Sequence, residues 1–439
     1  HYYVGAKYFP ELRYTRLYDA TVVARLERGG SALPRWFRYR NLATNQIEDT
    51  SRVKGAAEAV VSRFSPERWE EFVHDMAFFT SHENRWVEIL HDHGYNATPV
   101  WGLAGSLFAN SGPASEGQIL FLTLLDPLLL LAMFAIVGLG FGWRAAAVGM
   151  VFLGTNDFAR LSWTGGAYLR MDWLAFTVLG VAFLALKRPV LSGFLFSYAA
   201  LLRLFPAVVL LGLVTKLLVD SARKKRFDLT RERWRLFGGA LVGGAALLLL
   251  SVASFGPRVW PEFVQNIEKH ASTPLTNHVG AKSLLSYAAE SRAEATRNPV
   301  LADPYEPWKE ARHRVFSRRA PLFALVCLAF FAAFAAAAWR EREDWVTATL
   351  ALALVPVFFE LTCYYEIALI GLALLAPRRP WIGPALAAVA AFSCWAHFHF
   401  AWDDDRYAAL SLVLLLFSAG VLVSAIVRPM GKSEPIAAS

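Results

Sequence analysis

Residues 119–140 read ILFLTLLDPLLLLAMFAIVGLG. A run of this length and polarity matches the roughly 20 apolar residues that cross a ~30 Å hydrocarbon core. Three further runs have the same character: Leu236 to Ser254, Pro321 to Ala338 and Tyr407 to Val427. Together they decide the fold class, an all-α polytopic transmembrane helical protein. The bulk composition agrees, because hydrophobic residues make up 56% of the 439 positions and charged residues only 18%, with mean hydropathy +0.36.

The formal net charge of +8 raises the question of nucleic acid. The basic residues do not form one stripe. They collect in short loops between apolar segments, which is the signature of membrane topology, and no nucleic-acid partner is expected. The three cysteines, Cys327, Cys363 and Cys394, stand in apolar segments without metal-like spacing and read as packing residues. His91 with His93, and His397 with His399, lack further ligands at zinc spacing, so neither metal nor cofactor is expected. Residue usage rich in Ala, Leu and Arg fits a bacterial inner (plasma) membrane.

Residues 1–96 are charged, without a spanning run, and read as an exoplasmic loop region. In SPERWEEFVHDMAFF (65–79), Ser65 is placed as N-cap and Pro66 at the first helical position. Trp69, Phe72, Val73, Met76 and Phe79 then share one helical face, as do Trp86, Ile89 and Leu90 in NRWVEILHDHGYN (84–96). Such faces suit amphipathic interfacial helices lying along the bilayer; a small soluble domain that packs them inward is the alternative. Residues 97–255 read as transmembrane helices, 256–319 as a second exoplasmic loop, 320–428 as C-terminal transmembrane helices and 429–439 as a cytoplasmic tail. Placing KLLVDSARKKRFDLTRERWR (216–235) inside puts WREREDW (339–345) and Arg378–Arg379 inside as well. The stretches ELTCYYE (360–366) and HFHFAWDDDR (397–406) then fall outside. Ala145–Gly154, Trp173–Leu186 and the pieces on either side of Pro206 are short for full spans and read as half-helices, which need buried backbone or a wet cavity.

Ionisable groups at membrane depth are costly and mark sites. Four stretches carry them. TNDFARLSWTGGAYLRMDW (155–173) holds Asp157, Arg160, Arg170 and Asp172. YAALLRLFPAVV (198–209) holds Arg203, three residues before Pro206. FFELTCYYEIAL (358–369) holds Glu360, Tyr364, Tyr365 and Glu366. TNHVGAKSLLSY (276–287) holds Asn277, His278 and Lys282. Plainer readings stand beside these: Arg170 with Asp172 as a pair closing a helix end, Arg203 snorkelling to an interface, His278 with Lys282 as a solvated helix face. As a set, the cations suit a lipid phosphate, which arginine holds bidentately, and the carboxylates suit proton abstraction from a hydroxyl.

The order of several motifs resembles the GT-C class of integral-membrane glycosyltransferases, closest to family 87, the polyprenyl-phosphate-mannose-dependent mannosyltransferases. The motifs are HYYVGAKYFPELRYTRLYDA (1–20), GYNATPVWGLAGSLF (94–108), the run from Gly165 to Leu211, and LALVPVFFELTCYYEIAL (352–369). In that family a helix with a catalytic aspartate at its outer end precedes the first motif, which places that residue upstream of His1. The chain departs from the pattern at Gly165–Gly166, where Gly-Gln is usual, and at Phe359 and Glu360, where tryptophan and histidine are usual.

The resemblance implies transfer of a sugar, mannose in family 87, from a polyprenyl-phosphate donor to an acceptor hydroxyl on the exoplasmic side. Asp172 and Glu366 are then the candidate bases. Arg203, Arg170, Lys282 and His278 are the candidate ligands of the donor phosphate. Tyr364, Tyr365, Asp157 and Arg160 are the candidate lining. The expected partners are the lipid donor, the bilayer, an acceptor glycan, lipid or protein, and other subunits of a membrane complex. Two rival readings remain: a non-catalytic membrane subunit with this fold, and a transporter of a lipid-linked or anionic solute.

Overall fold

The computed structural model describes residues 1–27, 37–82, 85–160, 167–271 and 274–429. The Gly165–Gly166 turn and all but the first residue of the expected 429–439 tail lie outside them. Helices dominate the described residues, with two antiparallel two-stranded pairs besides: β1 (Arg38–Asn41) with β2 (Gln46–Asp49), and β3 (His278–Val279) with β4 (Leu361–Thr362).

Four helices are long and apolar enough to cross a membrane: Glu116–Phe141, Arg231–Phe255, Glu306–Arg340 and Asp403–Val427. Each contains one of the four runs quoted above. Their apolar side chains largely face outward, as with Leu139 (81% exposed) and Leu241 (74%), a surface that suits hydrocarbon rather than water. At 1.5 Å per residue, the Glu306–Arg340 helix is about 50 Å long and outreaches a bilayer core, so its polar first half stands clear of the apolar second half.

Shorter apolar helices fill the interior: Pro99–Ala109, Asp172–Ala185, Pro189–Leu202, Asp344–Phe358 and Cys363–Leu375. The helix Pro189–Leu202 stops at Arg203, whose backbone is extended (φ −146°, ψ 136°), and the chain becomes helical again at Ala207 after Pro206. This broken pair packs through glycine. A Cβ on Gly193 would stand 2.0 Å from the Leu236 carbonyl oxygen, and one on Gly239 would stand 2.4 Å from that of Val190. Helix Pro189–Leu202 therefore meets helix Arg231–Phe255 backbone to backbone. The Ser197 hydroxyl, donating to the Ala240 carbonyl at 2.7 Å, adds a hydrogen bond to the same contact.

Polar segments gather at two ends. At one, Arg233 reaches Asp220 (2.6 Å), Asp228 (3.0 Å) and Asp344 (2.5 Å), and the fully buried Lys216 meets Asp220 at 2.8 Å. Arg378 also pairs with Glu343 there. At the other end β3 joins β4, Arg292 and Tyr287 hold Asp405 (2.9 and 2.7 Å), and the amide of Ile47 donates to the Ala302 carbonyl at 3.3 Å.

The N-terminal region differs from the sequence expectation. Ser65 does cap the Pro66–His82 helix, its hydroxyl accepting from the Arg68 amide at 3.2 Å. That helix does not present its apolar face to a bilayer, however. Trp69, Phe72 and Met76 are buried, with Trp69 and Phe72 packed on Phe64 and Phe72 also on Tyr8. A buried ion pair fixes this arrangement: Lys7 Nζ lies 2.8 Å from Asp75, which also accepts from Tyr8 Oη and from the Ala114 amide, each at 2.8 Å. Protein, not lipid, takes up the face, because Tyr8 and Lys7 offer it both rings and a charge partner.

Candidate functional site

A cavity of about 1030 Å³ opens between the N-terminal region, the break at Arg203, the segment around Tyr364 and the helix Val259–Ala271. It lies at the upper limit of the ~300–1,000 Å³ usual for small-molecule sites, more than one phosphate needs.

Its charged wall is built from three short elements. Arg170 stands just before helix Asp172–Ala185. Its backbone amide donates to Asp126 Oδ2 at 2.8 Å and that of Met171 to Oδ1 at 3.1 Å. Asp126, immediately before Pro127 in the run that opened the sequence reading, thus anchors the turn that carries the arginine. Arg203 occupies the helix break, where its side chain need not follow a helical face. Arg170 Nη1 donates to Tyr2 Oη at 3.0 Å, and Arg203 Nη2 to the same oxygen at 3.3 Å. Arg203 Nε donates to Tyr365 Oη at 2.9 Å and its Nη1 to the Leu202 carbonyl at 2.8 Å. The Arg170 guanidinium stacks over the Tyr364 ring at 4.8 Å.

Among the described residues neither arginine has a carboxylate in salt-bridge contact, and Arg170 Nε, closed to solvent, has no hydrogen-bond partner. Two cations held by phenols and backbone in one cavity have the chemistry to hold an anion.

The other expected residues are distributed as follows. Tyr364, Tyr365 and His278 line the same cavity. Asp172 does not: it is buried at 2%, its Oδ1 accepts from the Trp173 amide at 2.7 Å and its Oδ2 has no partner among the described residues. It feels Arg203 through space without contact. Glu366 is fully buried, with both carboxylate oxygens unpartnered, and is not in the wall. It follows Tyr364 and Tyr365 directly in the 3-10 segment Cys363–Leu375, but the two tyrosines reach the cavity wall and Glu366 points into the protein interior. Lys282 is drawn off to Glu360 (2.8 Å), which also accepts from Arg312 (2.6 Å) and Ser283 (3.0 Å). Burial opposes the charge of Glu360, but Arg312, His278 and Lys282 hold its carboxyl below the usual range. Asp157 and Arg160 pair with each other at 3.2 Å and meet His397, at 3.8 Å from Asp157, in a cluster apart from the cavity. No cluster of three or more potential metal ligands occurs among the described residues.

The sequence reading passed over Tyr2, Asp126, Asp92 and Glu268. Tyr2 carries no signal beyond an aromatic run. Asp126 was visible as a carboxylate inside a spanning run. Asp92 and Glu268 are the carboxylates of the cavity wall among the described residues, and both come from ordinary polar stretches. Compared with protein-family models, with curated proteins and with solved structures, the chain matches none.

Proposed function

We propose that the chain is a multi-pass protein of a bacterial inner membrane and a GT-C-like glycosyltransferase acting with a polyprenyl-phosphate sugar. The observation that carries this reading is the arginine pair: Arg170 and Arg203 face one cavity and share Tyr2 Oη at 3.0 and 3.3 Å. They are within reach of a single phosphate and, among the described residues, have no carboxylate in contact to neutralise them. Leu201 and Leu204 in the same wall, with Leu204 78% exposed, suit the first isoprene units of a lipid chain beside that phosphate.

In this reaction the acceptor oxygen bonds to the anomeric carbon as the bond from that carbon to the phosphate oxygen breaks. The acceptor's proton passes to a carboxylate, and the departing phosphate keeps the electron pair. The two guanidinium groups stabilise the charge that develops on the phosphate. The N-terminal region and the 256–319 segment lie on the exoplasmic side in this reading. The donor sugar is a hexose, mannose by analogy with family 87.

A non-catalytic lipid-phosphate-binding subunit is the second reading, favoured by Asp172 and Glu366 standing outside the wall. One experiment separates the readings. Purified protein in liposomes is given polyprenyl-phosphate mannose and a hydroxyl acceptor, and the Arg203→Ala variant is run beside it. Transfer by the parent and its loss in the variant support the enzyme. Binding of the lipid without transfer, across polyprenyl-phosphate hexoses, supports the subunit. No binding of any polyprenyl phosphate defeats both.

A further inference from the structure

The arginine pair occupies one end of the cavity only. Successive residues show the division: Tyr2 Oη contacts both arginines, whereas the His1 imidazole lies 3.5 Å from Asp92 and 2.8 Å from Tyr18 Oη. Around Asp92 the wall changes character. It offers Asp92 and Glu268, His93 and His270, and Asn96. No lysine or arginine belongs to this part of the wall among the described residues.

Each group there is set up to read hydroxyls. The Asp92 side chain is 59% exposed, and Glu268 is also exposed, so their oxygens remain available. Burial drives the His93 imidazole down to about 3 and the His270 imidazole down to about 4, so both are neutral at ordinary pH. Neutral imidazoles carry one donor and one acceptor each. His93 Nδ1 lies 2.9 Å from Asn45 Oδ1 and serves as a donor to it, which leaves Nε2 as an acceptor. With its amide nitrogen turned toward the surrounding acceptors, Asn96 donates to His270 Nε2 at 2.8 Å, which leaves Nδ1 of His270 as a donor. The two rings stand at 88° with centroids 5.4 Å apart, so the free acceptor and the free donor project in different directions. Carboxylates that accept and imidazoles of both polarities make up the equipment for a ring bearing several hydroxyls.

We propose that Asp92, His93, Asn96, Glu268 and His270 form a subsite for a polyhydroxylated ring, a sugar, distinct from the phosphate end of the cavity. The cavity then holds a bipartite ligand: an anion on Arg170 and Arg203, and hydroxyl donors on the carboxylates at the far end. The subsite rests on the glycosyltransferase reading only for what occupies the arginine end. A small organic cation is the other ligand that two carboxylates attract, and the test includes it.

Purified protein in detergent is titrated with three probes: methyl α-mannoside, decyl phosphate and tetramethylammonium. Binding is followed by saturation-transfer NMR and by thermal shift. Asp92→Asn and Glu268→Gln, both at exposed positions and not expected to disturb folding, should each weaken the glycoside at least tenfold and leave decyl phosphate within about twofold. Arg203→Lys should do the reverse. Glycoside binding that ignores both carboxylate variants overturns the subsite. So does tetramethylammonium binding in place of the glycoside, or decyl phosphate binding with no glycoside binding. Glycoside binding with the predicted losses, but no decyl phosphate binding, leaves the subsite standing and removes the lipid-phosphate reading.

Discussion

Arg170 and Arg203 are 33 positions apart in the chain and donate to one oxygen atom, Tyr2 Oη, at 3.0 and 3.3 Å. Two like charges brought together in this way repel, and a neutral phenol offsets little of that repulsion. An anion between them removes it. Tyr2→Phe is therefore expected to weaken decyl phosphate binding less than Arg203→Ala does, because the cations remain. Arg203→Ala should lose about 10- to 100-fold, the range of a charge-assisted hydrogen-bonded contact of about 1.5–3 kcal/mol. Arg203→Lys should fall between, keeping charge without the fork. Equal affinities across the three variants would remove the arginine pair from the site.

The buried pair of Lys7 and Asp75 is expected to be a stability element. Asp75→Ala leaves the Lys7 ammonium, 1% exposed, with Glu71 at 2.7 Å as its one remaining carboxylate partner among the described residues. Removing one member of a buried pair typically costs about 3–5 kcal/mol. Chemical denaturation in detergent should show a loss of that order, while decyl phosphate binding in the folded fraction stays unchanged. A loss under about 1 kcal/mol would mean that Glu71 and the Gly112 carbonyl, which accepts from Lys7 Nζ at 3.2 Å, suffice.

Gly193 makes a stringent packing test. Gly193→Leu forces a side chain where the Leu236 carbonyl oxygen already stands, 2.0 Å from the would-be Cβ. Helices Pro189–Leu202 and Arg231–Phe255 must then separate, and the folded yield should collapse. Gly238→Ala, on the same second helix but with nothing within 4 Å of the new Cβ, should be neutral. Similar behaviour of the two variants in size-exclusion profiles contradicts the backbone-to-backbone contact.

Acid should destabilise the protein over a defined window. His93, His270 and His278 are pushed by burial from the ordinary 6.5 to about 3, 4 and 4. Between about pH 6.5 and 4 the unfolded chain binds protons that the folded chain refuses, so stability falls as pH falls. Glu360 acts in the same direction: its carboxyl is held low by Arg312 and its neighbours, so its ion pairs are lost on acidification. Thermal unfolding should be nearly flat above pH 7 and decline steadily below 6.5. His278→Gln should make the decline shallower. A midpoint that holds constant down to pH 4.5 rejects the assignment.

Ile47 donates to the Ala302 carbonyl at 3.3 Å, and on the proposed topology residues 1–96 and 256–319 are expected to share the exoplasmic side. With Cys327, Cys363 and Cys394 replaced, single cysteines at Ser51 and Ala302 should both react with an impermeant maleimide added to intact cells. Labelling of one and protection of the other is incompatible with this arrangement.

The four long helices were legible because a run of some 20 apolar residues is a one-dimensional signal that needs no partner. The break at Arg203 was legible for the same reason: a charge and a proline interrupt such a run locally. What escaped depends on contacts between distant segments. The face of Trp69, Phe72 and Met76 announces that something apolar covers it, but periodicity does not say whether lipid or protein does so. Lys7 and Asp75 are 68 positions apart, and neither is unusual where it stands. Tyr364 and Tyr365 could be picked out as a pair, but Glu366 beside them could not be separated from them, because packing against distant segments decides which of three successive side chains reaches the cavity. Asp92 and Glu268 became visible only once the cavity wall was formed.

Both carboxylate oxygens of Asp126 accept from the amides of Arg170 and Met171, and they do so from within a helix whose length and polarity fit a bilayer. The height of Arg170 is thus tied to how deeply that helix sits. In a thinner or thicker bilayer the helix must tilt or shift to match its apolar span, and the arginine moves with it relative to Arg203, which hangs from a different helix. Acyl-chain length then becomes a variable of the spacing between the two arginines, and lipids of mismatched thickness are expected to weaken the proposed phosphate site with no residue changed.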